Sequence, residues 1–120
     1  MPRFTILTHD HPFPHWDLLL ERGESLQTWR LLTVPDSPGE ITAEPLPDHR
    51  LMYLDYEGPV SNGRGVVSRW DTGDYCIVQK TVEESAERLE IELTGERLAG
   101  RFILERAAES PTWRFYSASV

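Results

Sequence analysis

Hydrophobic and polar positions alternate along much of this chain. Trp16, Leu18 and Leu20 alternate with His15, Asp17, Leu19 and Glu21, and Leu89, Ile91 and Leu93 alternate with Glu90 and Glu92. A period of two is the period at which side chains change faces on a strand. Strands are predicted at 3–9, 15–22, 26–32, 66–70, 75–80, 89–93, 98–104 and 112–117. Arg22-Gly23-Glu24-Ser25, Asp71-Thr72-Gly73-Asp74 and Thr94-Gly95-Glu96 carry the residues of tight turns between them. Residues 33–50 read as a loop, because Pro35, Pro38, Pro45 and Pro47 with Asp36, Ser37 and Gly39 exclude a long helix or a central strand. Asp48 is placed to cap a short helical turn over 49–54, with His49 and Tyr53 then on one face. Residues 82–86 read as a further helical turn or a loop. About eight short strands with almost no helical periodicity predict an all-β, mainly antiparallel fold: a small closed or partly open β-barrel with one or two short helical turns. A barrel is preferred because Gly63, Gly65 and Gly100, in or beside strands, suit tight bends.

Composition narrows this further. With 120 residues, 39% of them hydrophobic, the chain is expected to be a single domain over 1–120 with its own core. No run approaches the length of a transmembrane helix. Met1-Pro2-Arg3-Phe4-Thr5 leads directly into strand-like sequence with no signal-peptide hydrophobic region, so no membrane association and a cytoplasmic location are expected. The net charge of −8, from 12 basic and 20 acidic side chains, argues against non-specific binding along DNA. It still allows a small pocket for one phosphate, since a bound cation overrides the global sign. The single cysteine, Cys76, sits in an apolar strand-like run and is expected to be a buried structural thiol.

The candidate chemistry is concentrated near the N-terminus. Three of the four histidines, His9, His11 and His15, lie within seven residues, and Asp17 follows His15 by two positions. His15 and Asp17 therefore share a strand face, opposite the apolar one. Neutral imidazole and carboxylate suit zinc, manganese or iron at neutral pH. Same-face neighbours on a strand are roughly 6.5–7 Å apart at the backbone, so two side chains can converge on one ion. His9 or His11 is close enough across the 12–14 turn to supply a third ligand. The ion is expected inside a closed β-wall.

An ordered series of motifs carries a family resemblance. It runs His9-x5-His15-x-Asp17, a proline-rich segment, Asp48-His49-x3-Tyr53-x2-Tyr56-Glu57-Gly58, Trp70-Asp71-x-Gly73 and Leu98-x-Gly100-Arg101-Phe102. From about Arg3 to the C-terminus the chain resembles the 3′-phosphoesterase domain of bacterial DNA ligase D, also found as a standalone protein. The resemblance implies a β-barrel with a manganese-dependent site that trims 3′-terminal ribonucleotides and removes 3′-phosphates from DNA ends. It implies His9, His15 and Asp17 as the metal ligands, selecting His9 over His11. It implies His49 as a catalytic histidine beside the scissile phosphate and Tyr53 as a catalytic tyrosine of the same site. The expected cofactor is a divalent metal, manganese first, with zinc or iron as alternatives. The expected partners are nucleic-acid 3′ ends or a small phosphoester, and a ligase or polymerase on another chain.

The chain also departs from that pattern. Where the family reads His-Tyr-Asp-x-Arg, this chain reads His15-Trp16-Asp17-Leu18-Leu19, and Leu7 stands where the family tends to carry glutamine. A second phosphate-binding arginine, expected near Ile41 or Thr42, is absent. The segment after Glu57-Gly58 is shorter than the family's glycine-rich loop, and the chain starts too late to hold the family's N-terminal arm. These losses bear on the phosphate, and losing one transition-state donor typically costs about 10²–10³ in rate. Arg30, Arg50, Arg64 and Arg69 are candidates for replacement, Arg64 first as a phosphate-binding residue. The resulting expectation is a metal-dependent phosphoesterase acting on nucleic-acid 3′ ends in DNA end repair, weakened or altered by the lost arginines. The alternatives are a non-catalytic metal- and phosphate- or DNA-end-binding module of the same fold, and a small-molecule phosphoesterase on the same barrel.

Overall fold

The alternating segments pair as antiparallel neighbours in a computed structural model that describes residues 1–118. The strands are β1 (Arg3–His9), β2 (His15–Arg22), β3 (Ser25–Leu31), β4 (Ile41–Arg50), β5 (Gly58–Pro59), β6 (Val66–Glu83), β7 (Ala86–Gly95), β8 (Ala99–Arg106) and β9 (Trp113–Ser117). Their spatial order is β1-β2-β3-β4-β9-β8-β7-β6, and β6 returns to β1, so eight strands close a barrel while β5 adds a short strip to β6. Among the described residues no helix is long and apolar enough to cross a membrane.

The inward face of each strand fills one core. Phe4 and Ile6, Leu18 and Leu20, Trp29 and Leu31, Ile91 and Leu93, and Trp113 and Phe115 all belong to it. Trp29 meets Trp113 edge to face at 5.4 Å, and Phe102 stacks on Phe115 at 5.2 Å. Each such side chain contributes about 1.5–3 kcal/mol by leaving water. A second, smaller cluster lies on the outer face: Leu7 of β1, Leu19 of β2 and Leu26 of β3 with Leu54 and Val67. The 3₁₀ turn Leu51–Leu54 and the connection after it, through Tyr53, Tyr56 and Val60, cover this patch. That outer layer, rather than the barrel core, borders the candidate site.

Four expectations from the sequence are corrected. The first concerns 33–50, of which Ile41–Arg50 is a strand. β9 pairs with β4 only at Ile41, Thr42 and Ala43, so Pro45 and Pro47 lie beyond it, where the missing N–H leaves no ladder bond unmade. The second concerns the hairpin expected at Asp71-Thr72-Gly73-Asp74, which is the middle of one 18-residue strand. Buried Asp71 instead accepts hydrogen bonds from the backbone N–H groups of Thr72, Glu96, Arg97 and Leu98, clamping the β7–β8 turn. Gly73 lets the backbones close up, since a Cβ there would lie 2.0 Å from the Thr94 carbonyl oxygen.

The third correction concerns the helical turns. His49 stays in β4, and the turn is a single 3₁₀ segment after Arg50 with no side-chain cap. Asp48 accepts from the Ser25 hydroxyl instead, at 2.9 Å. Residues 82–86 are a strand-to-strand turn, with Glu83 paired to Ala86 and Glu84 at a φ of 55°. The fourth concerns Cys76, which is exposed rather than buried. β1 ends its pairing at Asp74, so β6 beyond buried Tyr75 is paired with β7 alone, and Cys76 to Lys80 are exposed.

Candidate metal centre

The β1–β2 hairpin brings the ligand candidates together. His9 pairs with His15, and Leu7 with Asp17, so all three polar side chains leave the same outward face. The expectation of an ion inside the β-wall is corrected here: alternation sends Trp16 and Leu18 toward the core and His15 and Asp17 to its outside. The return loop is fastened to its surroundings. Asp10 accepts a hydrogen bond from the Val66 amide at 2.8 Å, which holds the 60–65 loop against it. Gly65 makes this fit possible, having a φ of +80° and no Cβ, which would otherwise lie 2.2 Å from the Asp10 carboxylate.

The hydrogen bonds of the trio determine which atoms remain free. His15 Nδ1 lies 2.8 Å from the Phe13 carbonyl oxygen, and His9 Nε2 lies 2.8 Å from the Arg64 carbonyl oxygen. A carbonyl only accepts, so both nitrogens donate, leaving His15 Nε2 and His9 Nδ1 to face the two oxygens of Asp17, at 3.1 Å and 3.2 Å. Those nitrogens carry lone pairs in the neutral rings and are donors to Asp17 in the protonated ones. His15 is fully buried and Asp17 is 3% exposed, and His15 Nε2 and Asp17 Oδ1 have no hydrogen-bond partner.

With both rings neutral, acceptor faces acceptor, an arrangement that a bound cation or a proton on the imidazole relieves. Ligands about 2.1 Å from one ion stand roughly 3.0–3.4 Å apart in tetrahedral or octahedral geometry; each imidazole nitrogen is that far from one Asp17 oxygen, and the trio as a whole would close in by a small side-chain adjustment to share one ion. The donor atoms of His9, His15 and Asp17 all lie within 4.8 Å of one another. The Phe13 and Arg64 carbonyls fix the ring orientation of His15 and His9, the role that outer partners play for imidazoles in metal sites. Burial pushes the Asp17 carboxyl up, but the two imidazoles outweigh it and hold its pKa down to about 2, so it is ionised at neutral pH. The hydrogen bond to Asp17 raises the His9 pKa, outweighing the effect of its partial burial.

A cavity of about 450 Å³ opens beside the trio, lined also by His49, Tyr53, Arg30, Arg50 and Arg64. His49 donates its Nδ1 proton to the Pro47 carbonyl at 2.9 Å, leaving Nε2 as the ring's remaining polar atom. Its ring meets Tyr53 edge-on at 5.8 Å, and Tyr53 in turn meets Tyr56 at 5.6 Å. All five residues expected at the site thus border one space, although His49 and Tyr53 come from a strand and a 3₁₀ turn rather than from one helix. Arg64 borders it too, with its guanidinium bonded to the Ser61 carbonyl and hydroxyl oxygens and its own carbonyl orienting His9. His11 is exposed and stands outside the trio. Arg69 extends toward Asp55, at 3.9 Å, away from the cavity lining.

Sequence reasoning underrated two features. The oxygens that orient the imidazoles are backbone atoms of Phe13 and Arg64, which no side-chain pattern signals. Arg30, one of four arginine candidates, had a usable signal. A two-residue turn at Gly23-Glu24 pairs Arg22 with Ser25, and counting outward places Arg30 opposite Asp17.

Comparisons with known proteins show the family of the chain. Residues 7–106 match the family model described as the DNA Ligase D 3′-phosphoesterase domain. The chain is 32% identical over 108 residues to the multifunctional non-homologous end joining protein LigD of Mycobacterium bovis, covering 86% of this chain and 14% of that protein. It is 32% identical over 111 residues to the LigD protein of Pseudomonas aeruginosa, covering 87% of this chain and 13% of that one. The Mycobacterium tuberculosis protein named as a multifunctional non-homologous end joining DNA repair protein gives 32% over 108 residues. The chain therefore spans about one seventh of the length of these relatives. With a family model matching residues 7–106 and relatives 32% identical over most of its length, this chain belongs to the DNA ligase D 3′-phosphoesterase domain family.

Proposed function

We propose that this protein is a metal-dependent phosphoesterase that acts on nucleic-acid 3′ ends, removing a 3′-phosphate or a 3′-terminal ribonucleotide during DNA end repair in the cytoplasm. The observation that carries the reading is the convergence of two imidazoles on both oxygens of Asp17, with buried His15 Nε2 and Asp17 Oδ1 lacking a hydrogen-bond partner among the described residues. His9, His15 and Asp17 would hold the ion, manganese first. Bound there, a divalent cation supplies Lewis acidity toward a phosphate oxygen.

The remaining work falls to the chain. His49, oriented through Nδ1 by the Pro47 carbonyl, has Nε2 available to take up or deliver a proton at an ester oxygen. The Tyr53 hydroxyl donates to a phosphate oxygen as charge develops there. Arg64 adds positive charge at the cavity wall. The acidic overall charge favours a short end or a small phosphoester over a long duplex. A ligase or polymerase on another chain is the proposed partner, and the relatives are named for non-homologous end joining.

Manganese-dependent release of phosphate from a 3′-phosphorylated primer–template tests the proposal, with Asp17→Ala and His49→Ala as controls. Turnover at the level of both controls would refute it. Buried Leu7 and Leu19, which leave part of the site apolar, favour a second reading, a module that holds metal and phosphate without hydrolysis. Metal-dependent binding of the same oligonucleotide without product is its signature.

A further inference from the structure

We propose that Arg30 is the residue that grips the phosphate in this cavity and sets a preference for a phosphorylated end. The inference rests on the phosphoesterase reading for its substrate class. Its geometry comes from the β2–β3 hairpin, where Arg30 pairs directly with Asp17. Directly opposed residues share a face, with side-chain origins about 4.5–5.5 Å apart. Arg30 thus leaves the sheet beside the carboxylate of the candidate metal centre and lines the same cavity.

The hydrogen bonding of Arg30 is incomplete. Its side chain is 22% exposed, yet Nε is buried and has no hydrogen-bond partner. Its nearest carboxylate, Glu44, is 3.7 Å away, too far for a hydrogen bond. Among the described residues the terminal nitrogens make no hydrogen bond either, so they are the part of the guanidinium left to meet an anion from the cavity. A phosphate presents the paired oxygens that a guanidinium fork fits.

The other cavity arginines are placed differently. The Nε and one terminal nitrogen of Arg64 are bonded to Ser61, and Arg50 is exposed to solvent, where charge is screened. The same outer face bears Leu7 and Leu19, both buried, which offer an anion no donor. Phe13 ties the two functions together. Its ring lies 5.3 Å from the Arg30 guanidinium carbon, and its carbonyl orients His15. One loop residue therefore positions both the candidate ligand and the anion clamp.

The test is fluorescence anisotropy with the full chain and manganese, using one oligonucleotide ending in a 3′-phosphate and its twin ending in a 3′-hydroxyl, read in the first seconds after mixing. The wild type should bind the phosphorylated end about 10- to 100-fold more tightly, the range for charge-assisted hydrogen bonds. Arg30→Met should erase that difference, and Arg30→Lys, which keeps charge but not the fork, should lose about tenfold of it. Arg30→Lys decides the matter should Arg30→Met not fold. Arg101→Ala, which removes one positive charge outside the cavity, should keep the full preference. Preference retained in both Arg30 variants, or absent from the wild type, overturns the assignment of Arg30. Turnover separates the two claims. Hydrolysis with an unchanged preference in the Arg30 variants refutes Arg30 alone, whereas an Arg30-dependent preference without hydrolysis supports Arg30 and refutes the phosphoesterase reading.

Discussion

Replacing Asp71 with asparagine should cost this protein about 3–5 kcal/mol. The buried carboxylate accepts four backbone hydrogen bonds, from Thr72 and Glu96 at one oxygen and from Arg97 and Leu98 at the other. Asparagine keeps one acceptor oxygen and turns the other into a donor. Whichever way the amide faces, two backbone N–H groups then meet an N–H instead of an oxygen. A hydrogen bond to a charged group contributes roughly 1.5–3 kcal/mol. Two such losses, one of them long at 3.2 Å if the Arg97 side is lost, give the stated range. Against a typical total stability of about 5–15 kcal/mol this is a large fraction, and melting should fall by roughly 10 °C or more. Urea unfolding of the two proteins, followed by tryptophan fluorescence and fitted with a common slope, measures the difference. Manganese affinity below the transition should stay at the wild-type value, because Asp71 serves the β7–β8 turn and not the outward face. An Asp71→Asn variant within about 0.5 kcal/mol of wild type would refute the clamp.

Gly65→Ala should lower manganese affinity about 10- to 100-fold in a calorimetric titration, because a Cβ 2.2 Å from Asp10 displaces the loop whose Arg64 carbonyl orients His9; unchanged affinity would disprove that dependence. His49→Ala should lower kcat on a 3′-phosphorylated substrate by about 10²–10⁴ while metal affinity holds, and a parallel loss of metal would show His49 to be a ligand instead. Cys76 should react with a disulfide reagent in the folded protein at close to the rate of the unfolded chain, since it is exposed; protection until unfolding would contradict its placement.

Much of the site could be read from local spacing. His15 and Asp17 are two positions apart on a strand, so strand geometry alone puts them on one face. The two prolines after His11 turn the chain back, which brings His9 beside its partner His15. The β2–β3 turn at Gly23 even contained the position of Arg30, through simple register counting. What misled was composition taken for conformation. Pro45 and Pro47 suggested a loop, but a proline costs nothing where a strand has no neighbour on its N–H side. Asp71 and Gly73 suggested a turn, but they serve a turn in other strands, one by accepting its amides and the other by making room for Thr94.

The amino-acid sequence by itself determined the all-β class, the strand faces and the placing of His15 and Asp17 on one face, because period-two alternation and short hairpins are local properties, while His9 rather than His11 as their companion came from the family resemblance. Tertiary structure alone decided that the trio sits outside the barrel core, that the Phe13 and Arg64 carbonyls aim its imidazoles, and that Cys76 faces solvent. The physical reason is that burial and hydrogen-bond demand depend on which distant segment lies alongside. β1 meets β6 across about sixty residues of chain, and until that neighbour is known neither an edge nor an orphaned lone pair can be identified.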